Sequence, residues 1–229
     1  MPDTKFSWRG LREHLRKTLW IYLAGIAVCL LLTNLLWTTT RPRIPNERNV
    51  IVYLGDSYSD AEPLSGIAAD MLQRTQAFDE ALAEVSFLSL QYTADDYTSS
   101  MLLMTRLAVG EGDAFLASPA LMEALVNGSA LTPLDEYVAA GWLAEYGLEP
   151  YYVTLEDEDT GGKLTYLAGL RLDSVNALAQ MGAFNNSGAF LCVTNNGGNL
   201  DTTLKALEFM MEDLTEAEHA ATEDTEPAA

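Results

Sequence analysis

A run of 19 residues near the N-terminus is the feature that most constrains what this chain can form. Between Leu19 and Trp37 only Gly25, Thr33 and Asn34 fall outside the apolar set. As a helix that rises ~1.5 Å per residue, this run would extend ~28 Å, which is close to the hydrocarbon thickness of a bilayer. The sequence therefore predicts a transmembrane helix over residues 18–37, with the lipid bilayer as its partner.

Basic residues on both sides of this run predict its orientation. Five Lys and Arg precede the run, and three follow it before residue 49. Because Arg16 and Lys17 adjoin the apolar residues, we expect residues 1–17 in the cytoplasm and the chain after the linker 38–48 outside the cell. No small-residue cleavage pattern follows Trp37, which argues against a removed signal peptide. These features predict a single-pass cell-membrane protein with an extracellular or periplasmic C-terminal domain.

Charge is distributed very unevenly between this N-terminal part and the rest. The chain has 13 Lys and Arg against 33 Asp and Glu; the first 48 residues hold 8 and 3 of these, which leaves 5 bases and 30 acids. An acidic surface of this kind repels phosphates, so no nucleic acid is expected as a partner. The two cysteines, Cys29 and Cys192, form no metal-binding pattern with histidine. We expect neither a metal nor a cofactor.

Residues 49–128 alternate short apolar runs with helical patterns, which is typical of an α/β fold. This order predicts a parallel sheet with right-handed crossovers. The helical patterns begin near Glu62, cover residues 99–109, and extend from Pro119 to a stop at Gly128. The predicted strands are residues 49–54, 85–90 and 114–117.

The second half of the outer part is less regular. Residues 151–155 and 164–167 flank an acidic segment and predict a hairpin, and residues 189–194 predict another buried strand. A final helix carries apolar residues at spacings of four and three. Beyond it, residues 215–229 are acidic and lack aromatic residues, so we expect a disordered tail. Residues 49–214 are thus predicted to form one three-layer α/β lobe with a mainly parallel, mixed sheet. The apolar positions of the final helix are Leu200, Leu204, Leu207, Met211 and Leu214.

Three segments of this lobe resemble the extracellular solute-binding proteins that serve ABC importers, a periplasmic-binding-protein-like family. The first matches the family's Leu-Ala pair and Gly-x-Gly-x-Asp turn, the second its Pro-Leu-Asp-x-Tyr segment, and the third its return strand with the helix after it. These segments are Leu107-Ala108-Val109-Gly110-Glu111-Gly112-Asp113, then Leu131-Thr132-Pro133-Leu134-Asp135-Glu136-Tyr137, then residues 190–196 with 204–209.

The resemblance implies a non-catalytic binding or assembly module, displayed outside the cell by the membrane anchor. Family members close two lobes around a ligand, whereas residues 49–214 have room for one lobe. The partner implied is a small solute or another membrane protein. Because the outer part is crowded with acids, a neutral or cationic solute is favoured over an anion.

Ligands of open α/β sheets bind at the carboxyl ends of the strands, where the strand order reverses. The polar residues that follow the predicted strands are therefore the candidate ligand-binding residues. Structural turns and caps are the other interpretation of the same residues. The candidates are Asp56, Ser57, Tyr58, Tyr92, Thr93, Ser118, Asn195 and Asn196.

Gly55-Asp56-Ser57, after the first strand, resembles the block that carries the nucleophilic serine of GDSL-type esterases. Such an enzyme with Ser57 as nucleophile is the alternative to a binding module. It requires a base for the serine proton, and the outer part has one histidine, His219, in the predicted tail. The segment Gly197-Gly198-Asn199-Leu200 also lacks the Asp of the family's oxyanion block. We therefore predict that the protein is not an enzyme.

Overall fold

The structure is a computed structural model that describes residues 8–40, 45–156, 162–195 and 198–223. The chain divides into two compact units, residues 1–43 and residues 44–229. Because the two are separate bodies, each is described by itself.

The described residues of the first unit form one long helix, α1, from Trp8 to Thr40. Among the described residues, no helix combines the length and the apolar character that crossing a membrane requires. Within the described residues, the predicted transmembrane helix over 18–37, and the single-pass membrane assignment based on it, is therefore wrong.

A six-stranded mixed sheet forms the centre of the second unit, in the order β2-β1-β3-β6-β5-β4. Strand β1 is parallel to both β2 and β3, and the remaining neighbours pair antiparallel. The strands are β1 Asn49–Asp56, β2 Glu84–Gln91, β3 Ala114–Ala117, β4 Pro150–Glu156, β5 Lys163–Arg171 and β6 Phe190–Val193.

Helices cover both faces of this sheet. The helices are α2 Ser65–Gln76, α3 Tyr97–Ala108, α4 Pro119–Asn127, α5 Asp135–Ala139, α6 Ala177–Gln180 and α7 Leu200–Glu223, with single 3₁₀ turns at Asn46–Arg48, Glu62–Leu64 and Ala144–Tyr146. Alternate residues of β1 pack in opposite directions: Val50, Val52 and Leu54 join the core with α2 and α7, while Ile51 and Tyr53 join the core with α3 and α4. The predicted α/β class with a mixed sheet is confirmed.

Two sequence predictions differ from the observed elements. Helix α7 continues to Glu223, so residues 215–223 of the predicted disordered tail are helical, and residues 224–229 lie outside the described residues. The last strand, β6, pairs antiparallel with β3 instead of extending the parallel half. The direction of β6 has the larger consequence, because it decides which end of this strand lies beside the carboxyl ends of β1 and β3.

Candidate functional site

The order of the parallel strands places a crevice at one edge of the sheet. Strand β1 lies between β2 and β3, and the helices that follow β1 and β2 pack on opposite faces. The chain therefore leaves the carboxyl end of β1 at a point where the strand order reverses, which is where open α/β sheets bind ligands. We call the carboxyl ends of β1, β2 and β3 the strand-end edge.

Three predicted site residues lie at the end of β1 and in the turn that follows it. Asp56 is half-buried, whereas Ser57 is exposed and Tyr58 is 70% exposed. The Ser57 amide donates to the Asp56 carboxylate at 2.7 Å, and the Ser57 hydroxyl lies 3.4 Å from the same oxygen. Ser59 closes the turn by donating to the Leu54 carbonyl at 2.8 Å. The turn thus presents one carboxylate, one hydroxyl and one exposed ring.

Tyr92, Thr93 and Ser118 also reach the strand-end edge, but they differ in exposure. Tyr92 is 6% exposed and belongs to the core beneath α3, and its amide donates to the Asp56 carbonyl at 3.0 Å. Ser118 is buried, and its amide donates to the Gly55 carbonyl at 2.8 Å at the start of α4. Thr93 is exposed. Of these three, Thr93 alone presents its side chain to solvent.

Asn195 lies at the opposite edge of the sheet. Because β6 is antiparallel to β3, the end of β6 that leads to Asn195 adjoins the start of β3. There the Asn195 side chain donates to the Ser129 carbonyl at 3.0 Å, and its amide donates to the Ala130 carbonyl at 3.0 Å. The placement of Asn195 with the other candidates is therefore wrong. Asn196 lies outside the described residues.

A depression with a volume of about 420 Å³ lies between the strand-end edge and α3. We call it the α3 depression. Four of its polar side chains, those of Ser89, Gln91, Thr93 and Thr98, form no hydrogen bond with any other residue that the structure describes. Their donors and acceptors face solvent. The lining residues are Ser57, Ser89, Leu90, Gln91, Thr93, Asp96, Thr98, Ser99, Leu102 and Arg106.

The charged groups of the α3 depression are tied to the protein. Asp96 caps α3, because its carboxylate accepts from the amides of Thr98 at 3.1 Å and Ser99 at 3.0 Å. Arg106 lies 4.9 Å above the Tyr53 ring, donates to the Tyr53 hydroxyl, and approaches Glu111 at 3.4 Å. Burial, together with a hydrogen bond to Glu111, raises the pKa of Tyr53 to about 12. Apart from the buried Nε atom of Arg106, which has no hydrogen-bond partner among the described residues, the free polar groups of the lining are neutral.

A second depression, of about 360 Å³, adjoins the strand-end edge on the side of α6. Ser57 lines both depressions and so lies on the ridge between them. The bridge between Ser59 and Phe184 holds the loop after α6 against the turn after β1. This second depression is lined by Asp56, Ser57, Tyr58, Ala179, Gly182, Phe184 and Asn185.

The surroundings of Ser57 bear directly on the esterase alternative. Neither depression next to Ser57 has a histidine among its described lining residues, and His219 lies on α7. The acceptor nearest the Ser57 hydroxyl is the Asp56 carboxylate at 3.4 Å.

Burial raises the pKa of the Cys192 thiol to about 12, so this thiol remains protonated at neutral pH. Within the described ranges, no group of three or more His, Cys, Asp or Glu residues could hold a metal ion.

The structure adds polar residues that the sequence analysis missed. Ser89, Gln91 and Thr98 line the α3 depression, yet they were not among the candidates because a strand serine and an exposed threonine are ordinary surface residues. One sequence signal was available. Asp96 followed by Thr98 and Ser99 is a helix-start pattern, and it places Thr98 in the first turn of α3, beside the end of β2.

Comparison with known proteins gives no relative. No protein-family model, no curated protein and no solved structure matches this chain. The function is therefore inferred from the geometry of the chain itself.

Proposed function

We propose that the lobe formed by residues 49–214 is a non-catalytic binding or assembly module that holds a small neutral solute in the α3 depression. The observation that carries this proposal is a set of four polar side chains around one depression at the strand-end edge that have no partner among the described residues: Ser89, Gln91, Thr93 and Thr98. Hydroxyl and amide groups both donate and accept hydrogen bonds. They suit a ligand with the same mixture, such as a sugar or another polyol.

The charges around the depression support a neutral ligand over an anion. Asp56 and Asp96 border the strand-end edge, while the guanidinium of Arg106 is shared by Tyr53 and Glu111. An incoming anion would meet these carboxylates, and the one basic residue in the described lining, Arg106, is already paired with Glu111. Because the depression is open to solvent and buries less of a ligand than an enclosed site, we expect weak, millimolar binding.

The resemblance to solute-binding proteins adds support from local structure. Gly110 and Gly112, of the Gly-x-Gly-x-Asp turn, have φ values of 69° and 98°, which non-glycine residues rarely adopt. Asp135, of the Pro-Leu-Asp-x-Tyr segment, begins α5 and accepts from the Leu167 amide at 2.9 Å. The strand that resembles the family's return strand, β6, pairs with β3. The two glycines thus suit the turn before β3, whereas the Asp135 side chain contacts β5 and does not cap α5.

Titration with glucose, followed by NMR chemical shifts of the amides, tests the proposal. We expect shifts at Gln91, Thr93 and Thr98, and about fivefold weaker binding for the Thr93→Val variant, since one hydrogen bond to a ligand contributes about 1 kcal/mol. The matched control is Thr154→Val on the hairpin, which should bind like the wild type. Shifts scattered over the surface, or an equal loss in the control, would contradict a site in the α3 depression.

An esterase assay tests the alternative with the same protein. Short acyl esters should be turned over no faster by the wild type than by Ser57→Ala, because no described lining residue is a histidine base for the serine proton. Clear turnover that disappears in Ser57→Ala would replace the binding module with the esterase.

A further inference from the structure

A separate depression, also of about 420 Å³, lies away from the strand-end edge, where the end of α2 and the loop after α5 meet the start of α7. We call it the aromatic depression, because Phe78, Tyr137 and Trp142 form its apolar walls. It shares no lining residue with the α3 depression. Its lining consists of Phe78, Tyr137, Ala140, Gly141, Trp142, Asp201, Leu204, Lys205 and Glu208.

The aromatic walls are held in place by hydrogen bonds. The Trp142 indole, 8% exposed, donates to the Leu204 carbonyl at 3.1 Å, and the Trp142 amide donates to the Tyr137 carbonyl at 2.9 Å. Phe78 is 59% exposed. Its neighbour Asp79 accepts from the Ala81 amide at 2.9 Å and from the Thr202 hydroxyl at 3.0 Å, and these bonds lower the pKa of Asp79. This anchor ties the end of α2 to α7.

Of the three charged groups in the lining, one carboxylate is left without a partner. Lys205 pairs with Glu208, and its ammonium lies 5.0 Å from the centre of the Phe209 ring. The charges of Lys205 and Glu208 therefore offset each other. The carboxylate of Asp201, exposed in the first turn of α7, forms no hydrogen bond or ion pair with any other described residue. The depression thus combines three aromatic side chains with one net negative charge.

We propose that the aromatic depression binds a small organic cation, of the quaternary ammonium or alkylamine class. Aromatic faces attract such cations through the ring quadrupole, and a nearby carboxylate adds a direct charge interaction. The wider surface acts in the same direction, because residues 49–229 carry 30 acids against 5 bases. The site is independent of the solute proposed for the α3 depression.

Calorimetric titration of the full chain with choline chloride, at an ionic strength held constant with sodium chloride, tests the charge requirement. The comparison ligand is 3,3-dimethylbutan-1-ol, a neutral molecule of the same shape. We expect choline to bind with a millimolar dissociation constant and the alcohol to bind about fivefold or more weakly, because only the cation gains from the rings and from Asp201. Equal binding of both ligands, or no binding of choline, would overturn the proposal.

Variants then test the location. Asp201→Asn and Phe78→Ala should each weaken choline binding about threefold or more, and Ala140→Trp should abolish it by filling the depression from an exposed position. The matched control is Asp95→Asn, which removes the same charge from an exposed residue near the strand-end edge and should leave the affinity unchanged. An equal loss in Asp95→Asn would mean that choline senses the general negative field, and the site would be rejected.

The single tryptophan of the second unit provides an independent readout. The other tryptophans, Trp8, Trp20 and Trp37, belong to residues 1–43. We therefore expect choline to change the tryptophan fluorescence of the wild type and of Asp95→Asn, and to leave that of Trp142→Phe unchanged. A fluorescence change that persists in Trp142→Phe would place the cation elsewhere and overturn the assignment.

Discussion

The two ends of the parallel strands carry the same types of polar residue and use them differently. At the strand-end edge, Ser89, Gln91 and Thr93 have exposed side chains without partners in the described parts of the chain. At the other end, which we call the amino-end edge, Asp113 accepts from the Ile51 amide at 2.8 Å and Thr194 donates to the Gly112 carbonyl at 2.7 Å. The amino-end edge uses its polar groups to join strands.

This contrast shows that residue type alone does not separate a binding residue from a structural one. A polar side chain is structural where it pairs with a backbone group that has no partner in the sheet. Where β1 and β3 begin, the Ile51 amide and the Gly112 carbonyl need partners, and the Asp113 and Thr194 side chains supply them. Where β2 ends, the side chains of Gln91 and Thr93 meet no such backbone group. Variants at the two edges should therefore affect different quantities: stability at the amino-end edge, and solute binding at the strand-end edge.

The largest effect should come from Gly112→Ala at the amino-end edge. Gly112 has a φ of +98°, and an added Cβ would lie 2.8 Å from two carbons of the Tyr53 ring. We expect the free energy of unfolding to fall by about 3 kcal/mol or more, because the strained backbone and the overpacked ring both cost free energy. Urea denaturation followed by circular dichroism measures the loss.

Gly141→Ala is the matched control for this prediction. Gly141 has a nearly identical φ of +100°, but an added Cβ would meet nothing within 4 Å. It should therefore show only the backbone cost of about 1–2 kcal/mol. If both variants lost the same stability, the contact with Tyr53 would contribute nothing, and tight packing at the amino-end edge would be rejected.

The next effect is a pH dependence that arises from Asp113. Asp113 is 4% exposed, and burial raises its pKa to about 6, against the lowering effect of its bond from the Ile51 amide. Between about pH 4 and pH 6 the folded protein retains a proton that the unfolded chain has lost. Stability from this group is therefore present at low pH and is lost as the pH rises through 6. A shift of this size corresponds to about 3 kcal/mol.

Asp113→Asn removes this titration while keeping an oxygen that can accept from the Ile51 amide. The difference in free energy of unfolding, variant minus wild type, should increase by about 3 kcal/mol when the pH is raised from 4 to 7, because only the wild type loses stability from this group. Urea denaturation of both proteins at several pH values measures this difference, in which contributions from the other acids cancel. Parallel curves for the two proteins would contradict a raised pKa at Asp113.

The parallel half of the fold could be predicted from the sequence because its signals are local. Strands β1 and β3 are continuous apolar runs with both faces buried, and Pro119 marks the first turn of α4. The direction of β6 has no local signal, since a buried strand of four residues reads the same in either direction. That ambiguity accounts for the error at Asn195, whose residue type suited a ligand contact but whose strand runs toward the amino-end edge.

The candidate site was predictable in part. The position of the turn after β1 could be read from the sequence, because Ser57 and Tyr58 directly follow an obvious strand that ends at Asp56. The aromatic depression was not predicted, because Phe78, Trp142 and Asp201 are distant in sequence and meet only through the packing of α2 and the loop after α5 on α7. Its members also look like ordinary core or surface residues when each is considered alone.

The smallest expected effects come from removing one polar side-chain group at each edge and comparing the results. Asn195→Ala removes a side-chain donor to the Ser129 carbonyl, and Ser129 has a φ of 49°, unusual for a residue other than glycine. We expect about 1 kcal/mol of lost stability and no change in glucose binding.

Thr93→Val at the strand-end edge should change the free energy of unfolding by less than about 0.5 kcal/mol, since its hydroxyl has no described partner. The same variant should weaken glucose binding. Urea denaturation and the NMR titration, applied to both variants, measure the two quantities. A stability loss at Thr93 as large as that at Asn195 would mean that Thr93 is as structural as Asn195, and the distinction between the two edges would fail.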